Sequence, residues 1–160
     1  MELASRVSAK SWQAKQIGVR VRTDEDQLAF FESLAGVNAL RSYVLISDGV
    51  PVAFMLGHQW NKVYVVEEIG YDAAYADFSP GTVLMVEAID DLLDTDRPES
   101  IDFGFGDAVY KRIFANSSSQ AANLLLVSRK LKAQGTLLVD KALAACKRSL
   151  KEVARRRKSI

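Results

Sequence analysis

The chain has 160 residues, with 21 basic and 20 acidic side chains, one cysteine and one histidine; that length buries roughly 70% of the unfolded surface in a single domain without a staple. A lone Cys146 and a lone His58 exclude an internal disulfide and an ordinary clustered Cys/His metal site, so no metal is expected and a reducing cytoplasmic location fits. Near-neutral charge offers no global field for nucleic acid or membrane, no run of about 18 apolar residues offers a membrane span, and MELASRVSAK lacks the apolar core of a signal peptide.

The first 16 residues are weakly patterned and are expected to be loosely held. IGVRVR (17–22) alternates at strand period, and Thr23-Asp24-Glu25-Asp26 then caps a helix to about Leu34, whose apolar stripe is Leu28, Phe31 and Leu34 widened by Phe30. SYVLI (42–46) and VPVAFMLG (50–57) flank Asp48-Gly49, a pair suited to a tight hairpin turn. A second turn at Trp60-Asn61 leads into KVYVVEEIG (62–70), which gives three consecutive antiparallel strands.

Ser79 can cap the next helix, Pro80 suits its first position and Gly81 follows; Met85, Val86, Ile89, Leu92 and Leu93 make its apolar face. Arg97-Pro98 breaks it, and SIDFGF (100–105) reads as a buried strand beside a crossover helix. A brief helix capped by Asp107 follows Gly106. AANLLLV (121–127) fits a strand or a buried helix, with strand favoured after the serine turn. From about Thr136 a helix carries the seam Val139, Leu143, Cys146, Leu150 and Val153. The fold class is α+β: a mixed, mostly antiparallel sheet with helices on both faces, a domain over 17–128 and a C-terminal helix over 129–160 packed on it or extending it.

Several constellations invite a chemical reading. The DFG of DFGFGDAVYK (102–111) lacks every other kinase element, and the pair Gly104 and Gly106 lacks the third glycine of a dinucleotide fingerprint, so the two glycines serve equally to turn the chain out of the sheet. The helix start at Ser79-Pro80-Gly81 offers unpaired N–H groups to an anion. Glu67 and Glu68, adjacent on a strand, should point to opposite faces; one is a general-base candidate, unless the pair is solvated or partnered by Lys62 or Arg41. Asp107 and Lys111 are spaced for a helical ion pair, and Tyr110 beside them is either a proton donor or a packing residue. His58 reads as structural or exposed, Cys146 as an inert apolar residue, and RRRK (155–158) as too short a basic run for nucleic acid.

YDAAYADFSPGTVLMVEAI and, some twenty residues on, DFGFGDAVYKRIF resemble the acetyltransferase family related to the cellulose-biosynthesis protein CelD, a branch of the GNAT superfamily that also holds the FemABX ligases. WQAKQIG and DGVPVAF are similar as well, so the resemblance runs over about residues 11–115. It implies a GNAT fold and transfer of an acyl group from acetyl-CoA or another acyl-CoA to an amine. The pantetheine arm would lie along KVYVVEEIG at Ile69 and Tyr71, and the pyrophosphate at Ser79, Pro80, Gly81 and Thr82, where the DAAYADFSPG loop stands in for the usual phosphate loop. Glu67 or Glu68 would be the base and Tyr110 the donor to the leaving thiolate. Lys111 would position an acidic group or the Asp107 carboxylate, Asp102 and Asp107 would fix the turn, and Gly104 and Gly106 would keep the site wall thin. Family members are usually about twice as long with a similar preceding half, so a non-catalytic half that docks a partner, as a homodimer or with a second such half, is the alternative, with FemABX-like aminoacyl transfer a third.

Overall fold

The computed structural model of the protein describes residues 1–122. Met1–Ser118 form one compact unit, and the expected boundary at 128 lies outside the described residues. The readings of 121–127 and of the C-terminal helix lie outside the described residues.

Three helices open the unit: α1 (Glu2–Lys10), α2 (Trp12–Ile17) and α3 (Glu25–Gly36). The segment expected to be loosely held is therefore helical and fixed, with Ala4, Val7 and Ser8 of α1 buried. Hydrophobic patterning misses it because serine occupies one of its buried helical positions: Ser8 Oγ accepts from the Val21 amide at 3.2 Å. Residues 17–22, expected as a strand, are not one. Their backbone groups are satisfied by side chains instead: the Arg22 amide donates to Gln27 Oε1 at 2.6 Å, and Gln27 Nε2 donates to the Arg20 carbonyl at 3.2 Å. The cap of α3 follows expectation, with the Gln27 amide donating to Asp24 Oδ1 at 3.0 Å.

The sheet runs β1 (Tyr43–Ser47), β2 (Val50–Trp60), β3 (Val63–Tyr71) and β4 (Ser100–Asp102), in that spatial order. The first three strands are antiparallel, and β4 is parallel to β3. Asp48 (φ 49°) and Gly49 (φ 76°) make the first hairpin turn as expected. The second turn uses Asn61 (φ 48°) and Lys62 (φ 64°), one residue later than expected, because Trp60 still pairs with Val63. A 3₁₀ segment (Ala73–Phe78) leads into α4 (Pro80–Thr95), and α5 (Val109–Phe114) follows β4.

Each face of the sheet carries its own core. Leu84, Met85, Ala88 and Leu92 of α4 pack on Ala53, Met55, Tyr64 and Val66, while Ala4, Val7, Val21 and Phe31 pack on Phe54 and Leu56 of the opposite face. Val86 and Leu93, expected in the α4 face, are exposed; the burial phase passes through Leu84 and Ala88 instead. β4 is also less buried than expected. Among the described residues it is the edge strand, with Ile101 half-buried between exposed Ser100 and Asp102.

Candidate active site

The middle strand β3 has two different edges. Against β2 it pairs from Val63 to Tyr71, with a register break opposite Leu56 and Gly57. Glu68 faces Leu56 and Val66 faces Gly57, so Glu67 is the extra residue of a β-bulge. Against β4 it pairs only over Val63–Val65, opposite Ser100–Asp102, where β4 ends, and from Val66 onward β3 has no strand partner on that side among the described residues.

The ladder phase decides what faces that opening. The Asp72 amide donates to the Val52 carbonyl at 2.8 Å, which makes Ala53–Tyr71 and Met55–Ile69 the non-hydrogen-bonded pairs. The N–H and C=O groups of Ile69 and Tyr71 therefore point away from β2, toward the side where β4 has ended. Gln13 of α2 reaches this edge, with Nε2 3.4 Å from the Ile69 carbonyl and its own Oε1 buried without a partner among the described residues.

The bulge also corrects the expectation that Glu67 and Glu68 point to opposite faces. Val66 and Ile69, three apart, both contribute to the α4-side core, so strand alternation breaks between them. Both carboxylates instead meet partners from the side of the N-terminal helices. Glu68 Oε1 accepts from Arg20 Nε at 2.7 Å and pairs with the same guanidinium through Nη2. Glu67 Oε1 lies 3.3 Å from His58 Nδ1, and the His58 ring meets Phe30 of α3 edge-on. Neither of the expected partners is used: Lys62 binds Glu99 at 2.6 Å, and Arg41 binds Asp96, with Nη2 to Oδ1 at 2.9 Å.

Across the opening, DFGFGDAVYK closes β4 and starts α5. The Gly104 amide donates to Asp102 Oδ1 at 2.7 Å, and positive φ at Gly104 (70°) and Gly106 (90°) swings the chain out of the sheet. Space does not impose these glycines, since a Cβ at Gly104 would come no closer than 3.8 Å to the Val66 carbonyl oxygen.

The expected Asp107–Lys111 pair is absent and Asp107 does not cap α5. Its carboxylate binds Arg112, Nε to Oδ1 at 2.7 Å, which holds it below the usual carboxylate range. Lys111 instead donates to the Gly104 and Phe105 carbonyls at 3.0 and 2.7 Å, as a staple across the turn. Tyr110 packs edge-on against Phe103, with centroids 6.0 Å apart, and its pKa is raised, first by burial and then by the Glu68 charge.

The start of α4 is narrower than a generic helix N-terminus. Ser79 is left-handed (φ 50°) and makes no side-chain cap bond, contrary to expectation. Pro80 has no N–H, and the Thr82 and Val83 amides donate back to the Ser79 carbonyl at 2.9 and 3.2 Å. Of the first three helical residues, only Gly81 has an amide without a partner among the described residues, and a Cβ there would come within 3.2 Å of the Tyr71 ring.

The sequence and the overall fold both match known proteins. A profile described as an acetyltransferase (GNAT) domain matches residues 1–112. The chain belongs to the GNAT acetyltransferase family. Among solved structures, the ribosomal-protein-alanine N-acetyltransferase from Brucella melitensis superposes on this GNAT chain with TM-score 0.55 and 12% identity, over 78% of this chain and 91% of that one. The aminoglycoside 6'-N-acetyltransferase from Acinetobacter haemolyticus gives TM-score 0.50 and 14% identity, over 81% and 92%.

The chain spans about half, 53%, of the ribosomal-protein-S18-alanine N-acetyltransferase from Escherichia coli, at 18% identity and TM-score 0.45 over 58% of its own length. No curated protein matches. Identities this low show a shared GNAT fold and nothing finer.

In this GNAT unit the candidate residues Glu67, Glu68, Ile69 and Tyr71 stand along one strand, with Gly104, Gly106, Tyr110 and Lys111 on the segment that leaves β4. Arg20, Gln13 and the mostly buried His58 were not anticipated there. Nothing in their sequence neighbourhood places Arg20 or Gln13 beside β3, whereas His58, the one histidine, is visible in the sequence but reads there as structural or exposed. A groove of about 520 Å³ between β1 and α4, bordered by Tyr43, Leu45, Glu87 and Asp91, lies two strands from this region and takes no part in it. Among the described residues no helix is long and apolar enough to cross a membrane, and no cluster of metal-binding side chains occurs.

Proposed function

We propose that this chain is an N-acyltransferase that passes an acetyl or other acyl group from acyl-CoA directly to an amine. The observation that carries the reading is the end of β3–β4 pairing after Val65, beyond which the Ile69 and Tyr71 backbone groups face away from β2 and only the Ile69 carbonyl is met, by Gln13 Nε2 at 3.4 Å. An extended chain with amide groups, such as pantetheine, can pair with that edge as an added strand would. The nucleotide end would reach the α4 start, where Gly81 supplies an amide and the helix dipole a partial positive charge.

In the reaction a carboxylate on β3, Glu67 or Glu68, takes a proton from the acceptor ammonium, a contribution of about 10²–10⁴-fold in rate. The free amine attacks the thioester carbon, the C–S bond breaks, and Tyr110 gives its phenolic proton to the thiolate. Burial keeps that phenol protonated well past neutral pH, the state a donor needs. Lys111 holds the turn that carries Tyr110 rather than an acid, and Gly104 and Gly106 shape the same turn.

The near-neutral charge of the whole chain conceals a division. Met1–Ser118 hold 10 basic and 18 acidic residues, a formal −8, a charge that favours a cationic amine acceptor. The same charge disfavours charged tRNA as an aminoacyl source. The motifs point to the CelD-related branch, and cytoplasmic residence follows from the cofactor.

A non-catalytic half that docks a partner draws on the single free amide at the α4 start, a thin seat for a pyrophosphate. Calorimetry with acetyl-CoA separates the two: binding, with free CoA thiol released as the acetyl group passes to an added amine, supports the enzyme, and no heat at millimolar ligand supports the docking half. Tyr110→Phe should slow turnover without weakening acetyl-CoA binding; an unchanged rate removes Tyr110 from the mechanism.

A further inference from the structure

His58 is the one histidine of the chain, and its Nδ1 is buried without a hydrogen-bond partner among the described residues. It sits on β2 opposite Val65, and its ring is fixed by Phe30, with centroids 6.4 Å apart. Glu67 Oε1 lies 3.3 Å from Nδ1, close enough for a charge contact, but no hydrogen bond joins them as they stand. Leaving a buried ring nitrogen unmatched is costly. Glu67 can remove that cost: its side chain is 35% exposed and its Oε1 is already 3.3 Å from Nδ1, so a small turn of the carboxylate completes the bond.

Glu68 is in a different position, since one oxygen receives both bonds from Arg20 and the carboxylate is neutralised there. No other carboxylate among the described residues comes within 4.0 Å of the His58 ring nitrogens. The elements packed on the ring add Glu25, Asp26 and Glu32 on α3, and Arg41 beside the Leu40–His58 bridge, already bound to Asp96.

We infer that His58 is a positioning residue: its Nδ1–H donates to Glu67 Oε1, which aims Oε2 at the acceptor amine and makes Glu67, not Glu68, the base. The role rests on the acyltransferase reading above. The acceptor N–H bond breaks with its proton passing to Glu67 Oε2, the nitrogen–carbon bond forms as the carbon–sulfur bond breaks, and Tyr110 protonates the sulfur. Tyr110 is then reprotonated by the second proton leaving the nitrogen, so one proton and one thiol are released per amide formed.

The sole histidine makes the test direct. In ¹H–¹⁵N NMR of the full chain, a downfield ring N–H signal is expected in the parent protein and in Glu68→Gln, and it should vanish in Glu67→Ala. Its absence from the parent, or its survival in Glu67→Ala, overturns the pairing. With acetyl-CoA and a primary alkylamine as probe acceptor, His58→Phe keeps the ring packing but removes the donor. It should lower kcat by about tenfold or more with KM for acetyl-CoA unchanged, and His58→Asn, which returns an N–H, should recover most of the loss. A rise in KM alone, or equal losses in Phe and Asn, overturns the positioning role. Calorimetry on the same samples separates the two ideas: no acetyl-CoA binding sinks the acyltransferase reading, whereas binding without the ring signal sinks only the role of His58.

Discussion

The two edges of β3 behave as opposites. Toward β2 it pairs along its full length and turns at Asn61-Lys62, while toward β4 it pairs over three residues and then separates. Local sequence specifies the first edge, a hairpin between neighbours in the chain. The second joins segments separated by the whole of α4, and its partial failure to pair leaves backbone donors and acceptors for a ligand. If the open edge takes acyl-CoA as proposed, stability and function divide between the two sides of one strand, and substitutions should separate them.

The largest expected effect is on the zipped side. Leu92 is fully buried in the α4 core, and Leu92→Ala should cost about 2–5 kcal/mol, read as a lower midpoint in urea. Acetyl-CoA affinity, measured on the folded fraction, should be unchanged; a parallel loss of affinity would break the proposed division. Next comes the clasp between α4 and the loop before β1. Arg41 reaches Asp96 with two charge-assisted bonds in a mostly shielded position, and Arg41→Ala should cost about 2 kcal/mol, again without a change in catalysis.

Alkaline titration sharpens the contrast. Burial raises the pKa of Tyr64, whose hydroxyl donates to the Arg41 carbonyl at 3.0 Å, and burial with the Asp91 bond raises that of Tyr43. The folded state therefore holds these protons more tightly than the unfolded chain. Their stabilisation is complete below the ordinary tyrosine value of 10.0 and is lost as pH rises above it toward the folded values. Thermal midpoints should fall above that pH, and Tyr43→Phe should flatten part of the slope.

The smallest stability effect belongs to the open side. Lys111→Ala removes two bonds from an exposed turn and should cost about 1 kcal/mol or less, but it frees the segment carrying Tyr110 and should lower kcat several-fold. Loss of stability with an unchanged rate would detach Lys111 from the site.

Much of the scaffold was legible. Asp48-Gly49 marks its turn because both residues accept positive φ, and the α3 cap and the start of α4 follow from residue chemistry that acts within one turn of chain. The N-terminal helices were not legible, because Ser8 and Ser11 occupy buried positions where a pattern reader expects apolar side chains. Val21 misled for the reverse reason: alternation at 17–22 suits a strand, yet Ser8 and Gln27 satisfy the backbone without one.

The candidate site divides along the same line. Residue type and local spacing determined that two adjacent carboxylates lie on a strand and that a glycine-flanked turn delivers a tyrosine. Only the tertiary structure decided that a bulge at Glu67 breaks strand alternation there, that Arg20 takes Glu68 while His58 faces Glu67, and that β3–β4 pairing ends after Val65. The reason is physical. Turn and cap preferences are set by neighbouring dihedrals and short-range bonds, whereas register, bulges and ion pairs 48 residues apart in sequence, as between Arg20 and Glu68, depend on how separate elements share one core.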